Sequence, residues 1–178
     1  MFEIYIQPTL FILISILIVF LARDWLRQRS SHGLSRFLAL ECILALTVLS
    51  LPAWPRDPLS PMQILSWSLI LTALLLAAYG YRLLRLEGKP ELKLAADQGL
   101  AVEGFYKYVR HPLYSSLILF SMGVFIKATT MTSTVLLCGV TLFLYLTARE
   151  EEMENLDRFG VEYARYLDAS KMFVPFVF

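Results

Sequence analysis

Five apolar segments alternate with polar connectors along the 178-residue chain. A helix of roughly 20 apolar residues crosses the hydrocarbon core of a bilayer and satisfies its own backbone hydrogen bonds there. Each long apolar run therefore predicts a transmembrane helix. The predicted spans are residues 4–22, 37–54, 62–81, 113–126 and 131–148.

Two of these segments have unusual features. The fourth would rise only about 21 Å as a helix, which is short for a bilayer. Either its cytoplasmic end starts in a recess below the membrane surface, or the bilayer thins locally while Lys127 extends to the interface. The second contains Glu41, which is a functional candidate by default inside a membrane helix. Because it lies only about one turn inside the predicted cytoplasmic end, it could instead pair with Arg36 or reach water.

Beyond Ala148 the chain becomes polar but keeps a helical period. Apolar side chains recur every three or four residues, which is the spacing of one helical face. They are Met153, Leu156, Phe159, Tyr163 and Tyr166. We therefore expect a C-terminal amphipathic helix on the cytoplasmic side, with Gly160 as the point where it would break.

The positions of the positive charges give the orientation. Lys and Arg collect in the cytoplasmic loops of membrane proteins. With five spans, all but Arg56 and Lys127 of the 16 positive residues fall on one side. The pattern predicts an all-α, polytopic membrane helix bundle with five transmembrane helices, its N-terminus outside and its C-terminus cytoplasmic.

Composition agrees with a membrane protein. Hydrophobic residues make up 57% of the chain and charged residues 17%, and the mean hydropathy is +0.60. A net charge of +1 without a basic, aromatic-rich run gives no reason to expect nucleic acid. Cys42 and Cys138 lie in apolar segments, so neither a disulfide nor a metal site is expected. The first segment lacks the flanks of a cleaved signal, and we expect it to be a retained anchor in a multi-pass protein of a prokaryotic inner membrane.

The segment GFYKYVRHPLY, residues 104–114, is the first candidate site. Pro112 suits the first turn of a helix. The free N–H groups of a helix start, with Arg110 beside them, suit an anion. His111 could instead simply cap this turn, and juxtamembrane Arg, Lys and Tyr side chains are often interfacial anchors.

A second polar cluster, Arg149 with Glu150, Glu151 and Glu152, follows the fifth span. Because the fourth and fifth helices would form an antiparallel hairpin, both clusters should reach the same cytoplasmic end. A basic and an acidic patch facing one space suit a zwitterionic ligand. The alternative is that the glutamates open a helix as an ordinary solvated face.

The same two segments resemble a known family. GFYKYVRHPLY is similar to the G-x-Y-x-x-x-R-H-P-x-Y signature of the isoprenylcysteine carboxyl methyltransferase and phospholipid methyltransferase superfamily. Glu151 and Glu152, the FGVEYARY segment at residues 159–166, and Pro175 resemble that family's later motifs in order and spacing. The resemblance covers about residues 100–178. Phe105 stands where the family often has proline, and the glycine-rich helix face of some phospholipid methyltransferases is missing.

The resemblance implies a membrane methyltransferase that uses S-adenosylmethionine. For such an enzyme we expect Tyr106, His111, Pro112, Tyr114 and Glu151 to bind the cofactor. The expected catalytic residues are Arg110, which would orient a carboxylate acceptor, and Glu152. The proton of an amine acceptor would pass to Glu152 or His111. No metal is implied.

The implied acceptor is lipid-like or prenylated, with the carboxylate of an isoprenylcysteine-like substrate as the first expectation. Within one membrane domain, residues 1–178, acceptor specificity would lie in the three helices of residues 1–86, and the cofactor would bind within residues 87–178. Three alternatives stay open: N-methylation of a phospholipid amine, an NADPH-dependent sterol-type reductase, and a non-enzymatic membrane protein of the same fold. A thiol acceptor also stays open.

Overall fold

A computed structural model describes residues 2–27, 31–87 and 104–175. These parts of the chain form six α-helices. They are α1 (Phe2–Arg27), α2 (Ser31–Ser50), α3 (Pro61–Glu87), α4 (Pro112–Lys127), α5 (Met131–Phe159) and α6 (Val161–Ala169). Short 3-10 turns occupy Leu51–Ala53 and Gly104–Lys107. The all-α prediction is confirmed for these residues, while most of the predicted connector, residues 88–103, lies outside them.

Four of the helices are long and apolar enough to cross a membrane. They cover Tyr5–Asp24, Gly33–Ala53, Pro61–Arg85 and Met131–Phe159. The apolar helix α4 has 16 residues and rises only about 24 Å. The helix lengths thus agree with a membrane helix bundle, and the count of five spans and the orientation stay predictions.

The polar segment after Ala148 does not begin a new helix. Helix α5 runs without a break from Met131 to Phe159, so the glutamates at residues 150–152 lie in its interior rather than in a first turn. The break comes at Gly160, whose φ of 58° is a conformation that glycine adopts at little cost. The predicted apolar face is also only partly buried, because Met153 is 52% exposed whereas Tyr163 and Tyr166 are buried.

The chain forms two compact units. The first comprises Met1–Leu71 and Ile118–Thr147, and the second comprises Thr72–Leu117 and Ala148–Phe178. Helices α3, α4 and α5 each supply residues to both units, and the predicted functional division at residues 86 and 87 stays a prediction. The predicted cofactor-binding residues all belong to the second unit.

In the first unit, α3 and α4 approach closely at Gly123. The Ser66 hydroxyl donates a 2.7 Å hydrogen bond to the Gly123 carbonyl. A Cβ at residue 123 would lie 2.8 Å from Ile70 Cγ1 and 3.0 Å from the Ser66 carbonyl oxygen. Ile70 and Val124 are buried beside this contact, together with Leu46.

Lys127 ends α4 and is turned into the protein. Its Nζ donates to Gln63 Oε1 at 2.9 Å and lies 3.8 Å from the ring centroid of Trp67. Only 7% of the residue is exposed. The ammonium group of Lys127 is thus held by an amide and an indole face, and the expectation that it extends to the membrane interface stays a prediction.

We expect Gly123→Ala to destabilise the protein by about 1–3 kcal/mol, since the new methyl group would press on the backbone of α3. Thermal unfolding of the detergent-solubilised protein measures this. Met122→Ala, at the neighbouring position that is 44% exposed, is the control and should unfold close to the wild-type temperature. Equal midpoints for the two variants would contradict this close approach.

Candidate functional site

In the second unit, a C-terminal segment that we call the tail, residues 170–173, lies beside residues 108–111, which lead into α4. Val109 and Lys171 form an isolated parallel bridge. The Arg110 N–H donates to the Lys171 carbonyl at 2.8 Å, and the Lys171 N–H donates to the Tyr108 carbonyl at 2.9 Å. The His111 N–H donates to the Met172 carbonyl at 3.2 Å. The backbone N–H groups of Arg110 and His111 lie at the helix start that was predicted to bind an anion. They are instead bonded to the protein's own tail.

The Arg110 guanidinium holds α5, the end of α6 and this tail together. Its Nε donates to Glu152 Oε1 at 2.6 Å, and its NH1 donates to the carbonyls of Leu167 and Ser170. The Arg110 and Glu152 side chains are only 11% and 4% exposed. A buried guanidinium requires both a counter-charge and hydrogen-bond acceptors, and it has both in this cluster.

His111 lies between the two glutamates. Its Nδ1 is 3.6 Å from Glu151 Oε2, and its Nε2 is 3.4 Å from Glu152 Oε1. The ring stacks on Tyr114, with centroids 5.4 Å apart, and the Tyr114 hydroxyl donates to Glu151 Oε1 at 2.8 Å. The buried Nε2 completes no hydrogen bond with a described residue, so it is one polar atom that a ligand could satisfy.

The 3-10 turn before α4 is tied to α6. The Tyr166 hydroxyl donates to the Tyr106 carbonyl at 2.9 Å, and both tyrosines are buried. On the other side, the Ser115 hydroxyl donates to the Phe173 carbonyl at 2.7 Å. The two bonds fix the ends of the segment that contains Arg110 and His111.

The structure brings together most of the residues predicted for the site. Hydrogen bonds, ion pairs and ring stacking join five of them into one contiguous polar cluster, namely Arg110, His111, Tyr114, Glu151 and Glu152. Pro112 occupies the first position of α4 and is fully buried. Tyr106 supports the cluster through its backbone carbonyl, which is bonded to Tyr166. The roles assigned to these seven residues stay predictions.

Sequence reasoning did not identify the atoms through which the tail, residues 170–173, supports the site. Its contribution comes from the main-chain carbonyls of Ser170, Lys171, Met172 and Phe173. Every residue has a carbonyl, so no side-chain pattern could have indicated them. Ser115 was also missed, because a serine one turn inside an apolar helix normally bonds within its own helix.

The charges of this cluster favour a ligand with a cationic group. The two glutamates contribute two formal negative charges and Arg110 one positive charge. Arg110 is committed to Glu152 and to two carbonyls, whereas the Glu151 side chain keeps 19% exposure. Glu151 is thus the carboxylate placed to accept from an incoming ammonium or hydroxyl group.

We expect Glu152→Gln and Glu151→Gln to differ sharply in stability. Removing the Glu152 charge leaves a buried guanidinium without its counter-ion, which costs about 3–5 kcal/mol. Glu151→Gln keeps an acceptor for Tyr114 and should cost less than about 1.5 kcal/mol. Thermal unfolding of both variants tests this, and equal losses would show that Arg110 does not depend on Glu152.

No curated protein and no solved structure matches the chain. A family model described as "Protein of unknown function (DUF1295)" matches residues 10–168. The match starts within α1 and ends within α6, so it includes Arg110, His111 and both glutamates of the cluster. The chain therefore belongs to the DUF1295 family.

Proposed function

We propose that the protein is an S-adenosylmethionine-dependent methyltransferase acting on a lipid-like acceptor. One observation carries the proposal: the two separated motifs that resemble isoprenylcysteine carboxyl methyltransferases meet in one hydrogen-bonded cluster. His111 and Tyr114 from the first motif contact Glu151 from the second. Membership of DUF1295 adds no support for methyl transfer as such.

The residues present fit the proposed cofactor. Its ammonium and ribose hydroxyls need acceptors, which Glu151 supplies at the partly exposed side of the cluster. The buried Nε2 of His111 can take a hydrogen bond or donate one. The stacked rings of His111 and Tyr114 offer a flat surface beside these polar atoms, and a sulfonium is attracted to aromatic faces as other cations are.

When bound, S-adenosylmethionine supplies an electrophilic methyl group, which the acceptor takes by in-line displacement while the C–S bonding pair returns to sulfur. The protein's task is to align the two reactants and exclude water. Glu151 and His111 would orient the cofactor. Arg110 would hold Glu152 and the tail in place, and so would fix one side of the proposed binding site.

Two acceptor classes follow from different features. The resemblance favours the carboxylate of an isoprenylcysteine-like molecule, which is ionised at neutral pH and needs no base. The cluster's charges favour an amine acceptor, because Arg110 is already engaged and the glutamates attract a cation. An amine must lose a proton before it attacks, and the sequence-based candidates to accept that proton are Glu152 and His111. Because Glu152 is enclosed and paired with Arg110, we assign this role to His111.

A second candidate function is an NADPH-dependent reductase of the sterol type. It is retained because the DUF1295 family is often linked to steroid 5α-reductase-like membrane proteins. The described cluster argues against it, since a phosphate-bearing cofactor would meet two glutamates and an arginine that is already paired. Consumption of NADPH by the purified protein with sterol-type substrates, without methyl transfer, would favour this function.

We expect S-adenosylhomocysteine to bind the purified wild-type protein in isothermal titration calorimetry. Glu151→Ala should weaken binding about tenfold or more, as for loss of a hydrogen bond to a charged group. Glu154→Ala is the matched control, because Glu154 lies on the same helix and is exposed. Unchanged affinity in Glu151→Ala would remove this residue from the cofactor site, and no binding by the wild type would contradict the proposed function.

We also expect methyl transfer from methyl-labelled S-adenosylmethionine to an acylated or prenylated small molecule. Two acceptors with the same chain, one ending in a carboxylate and one in an amine, distinguish the classes. A methyl ester releases labelled methanol in alkali, whereas an N-methyl group resists it. Transfer to neither acceptor, nor to a total lipid extract, would favour a protein of this fold without turnover.

A further inference from the structure

The first unit contains a carboxyl group in the interior of an apolar helix. Glu41 lies near the middle of the candidate span Gly33–Ala53, about 12 Å along the helix from Gly33. The Ser15 hydroxyl donates to Glu41 Oε1 at 3.0 Å. Ser15 lies near the middle of its own candidate span, Tyr5–Asp24. Two helices that each place a polar residue at mid-length thus bring these residues together.

The pair lies where α1 packs on α2. The less exposed residues of α1 recur at helical spacing, namely Phe11, Ser15, Ile18 and Ala22, and they mark its packing face. The rest of α1 is open, with Leu13 60% and Leu17 54% exposed. Ser15 and Glu41 are both half-buried rather than enclosed. The pair can therefore be reached from the apolar surface beside α1.

The Glu41 carboxyl has more hydrogen-bonding capacity than the described residues use. Its two oxygens offer about four acceptor sites. Among the residues that the structure describes, Ser15 donates to one of these sites. Neither Arg36 nor another described cation forms a salt bridge with Glu41, so the sequence-based pairing with Arg36 is not found. A carboxyl group in an apolar helix is costly and commonly marks a ligand or ion pathway.

A neutral donor is the partner that suits this depth. Placing an ammonium or guanidinium near the middle of an apolar span costs about 2.5–3.5 kcal/mol on insertion scales. A hydroxyl group costs far less to bury and regains a hydrogen bond on arrival. The partner should also be a long apolar molecule, because the approach runs along the exposed leucines of α1.

We propose that Ser15 and Glu41 form a binding site for the hydroxyl group of a membrane-dissolved amphiphile. The amphiphile's O–H donates to the free oxygen of Glu41, and its chain lies along α1. Ser15 orients the carboxyl group through the other oxygen. The site belongs to the first unit and does not depend on methyl transfer.

Labelling with dicyclohexylcarbodiimide, a lipid-soluble reagent that adds to carboxyl groups in apolar surroundings, tests the proposal in the full-length protein. Peptide mapping by mass spectrometry should locate the adduct on Glu41, and Glu41→Gln should lose it. 1-Hexadecanol should slow this labelling by about fivefold or more once it fills most of the sites. Hexadecyl methyl ether is the matched control, because it has the same chain but no O–H donor, and it should leave the rate unchanged.

The variant Ser15→Ala tests whether the Ser15–Glu41 hydrogen bond forms part of a ligand site or only contributes to the packing of α1 on α2. In this variant Glu41 should still be labelled, while protection by 1-hexadecanol should weaken, since the carboxyl group is no longer oriented. Absence of labelling at Glu41, or equal rates with the alcohol and the ether, would overturn the proposal. None of these results depends on whether the protein transfers methyl groups.

Discussion

The buried pair of Arg110 and Glu152 is the interaction on which the second unit depends. A guanidinium keeps its charge at any ordinary pH, so it can be buried only where its donors are met. Glu152 accepts a hydrogen bond from Nε, and the carbonyls of Leu167 and Ser170 accept hydrogen bonds from NH1. One side chain thereby fixes the entry to α4, the interior of α5 and the end of α6. A lysine could not replace it, because its single ammonium lacks the planar fork of donors.

This pair also separates the roles of two adjacent glutamates. Successive residues point about 100° apart on a helix, so Glu151 and Glu152 of α5 project in different directions. Glu152 turns to Arg110 and is almost fully enclosed, whereas Glu151 turns to Tyr114 and keeps contact with solvent. His111 lies close to both. Glu152 therefore holds the cluster in shape, and the partly exposed Glu151 is the glutamate that an incoming ligand can reach.

The sequence predicted the helices and the residues of the cluster because both depend on side-chain pattern. Apolar runs located α1 to α5, and spacing placed Arg110 and Glu152 at the same end of a hairpin. It did not predict that α5 continues to Phe159, because the change to polar residues after Ala148 indicates where the membrane span ends and not where the helix ends. The helix ends only at Gly160, which adopts a positive φ. The sequence also did not predict the amide and indole partners of Lys127, because Gln63 and Trp67 lie on α3, far along the chain.

The carboxyl groups of this protein differ in what holds them. Glu152 is enclosed, and a permanently charged guanidinium compensates it. Glu41 lies in an apolar helix and receives a hydrogen bond from the neutral hydroxyl of Ser15. A charge pair of the first kind is compensated within the fold, and removing one partner would leave an unpaired buried charge, whereas a carboxyl of the second kind adds a cost that helix packing must offset. Such a cost is tolerated more readily where the group has a task outside the fold, which is why Glu41, rather than Glu152, is the carboxyl group suited to a membrane-dissolved ligand.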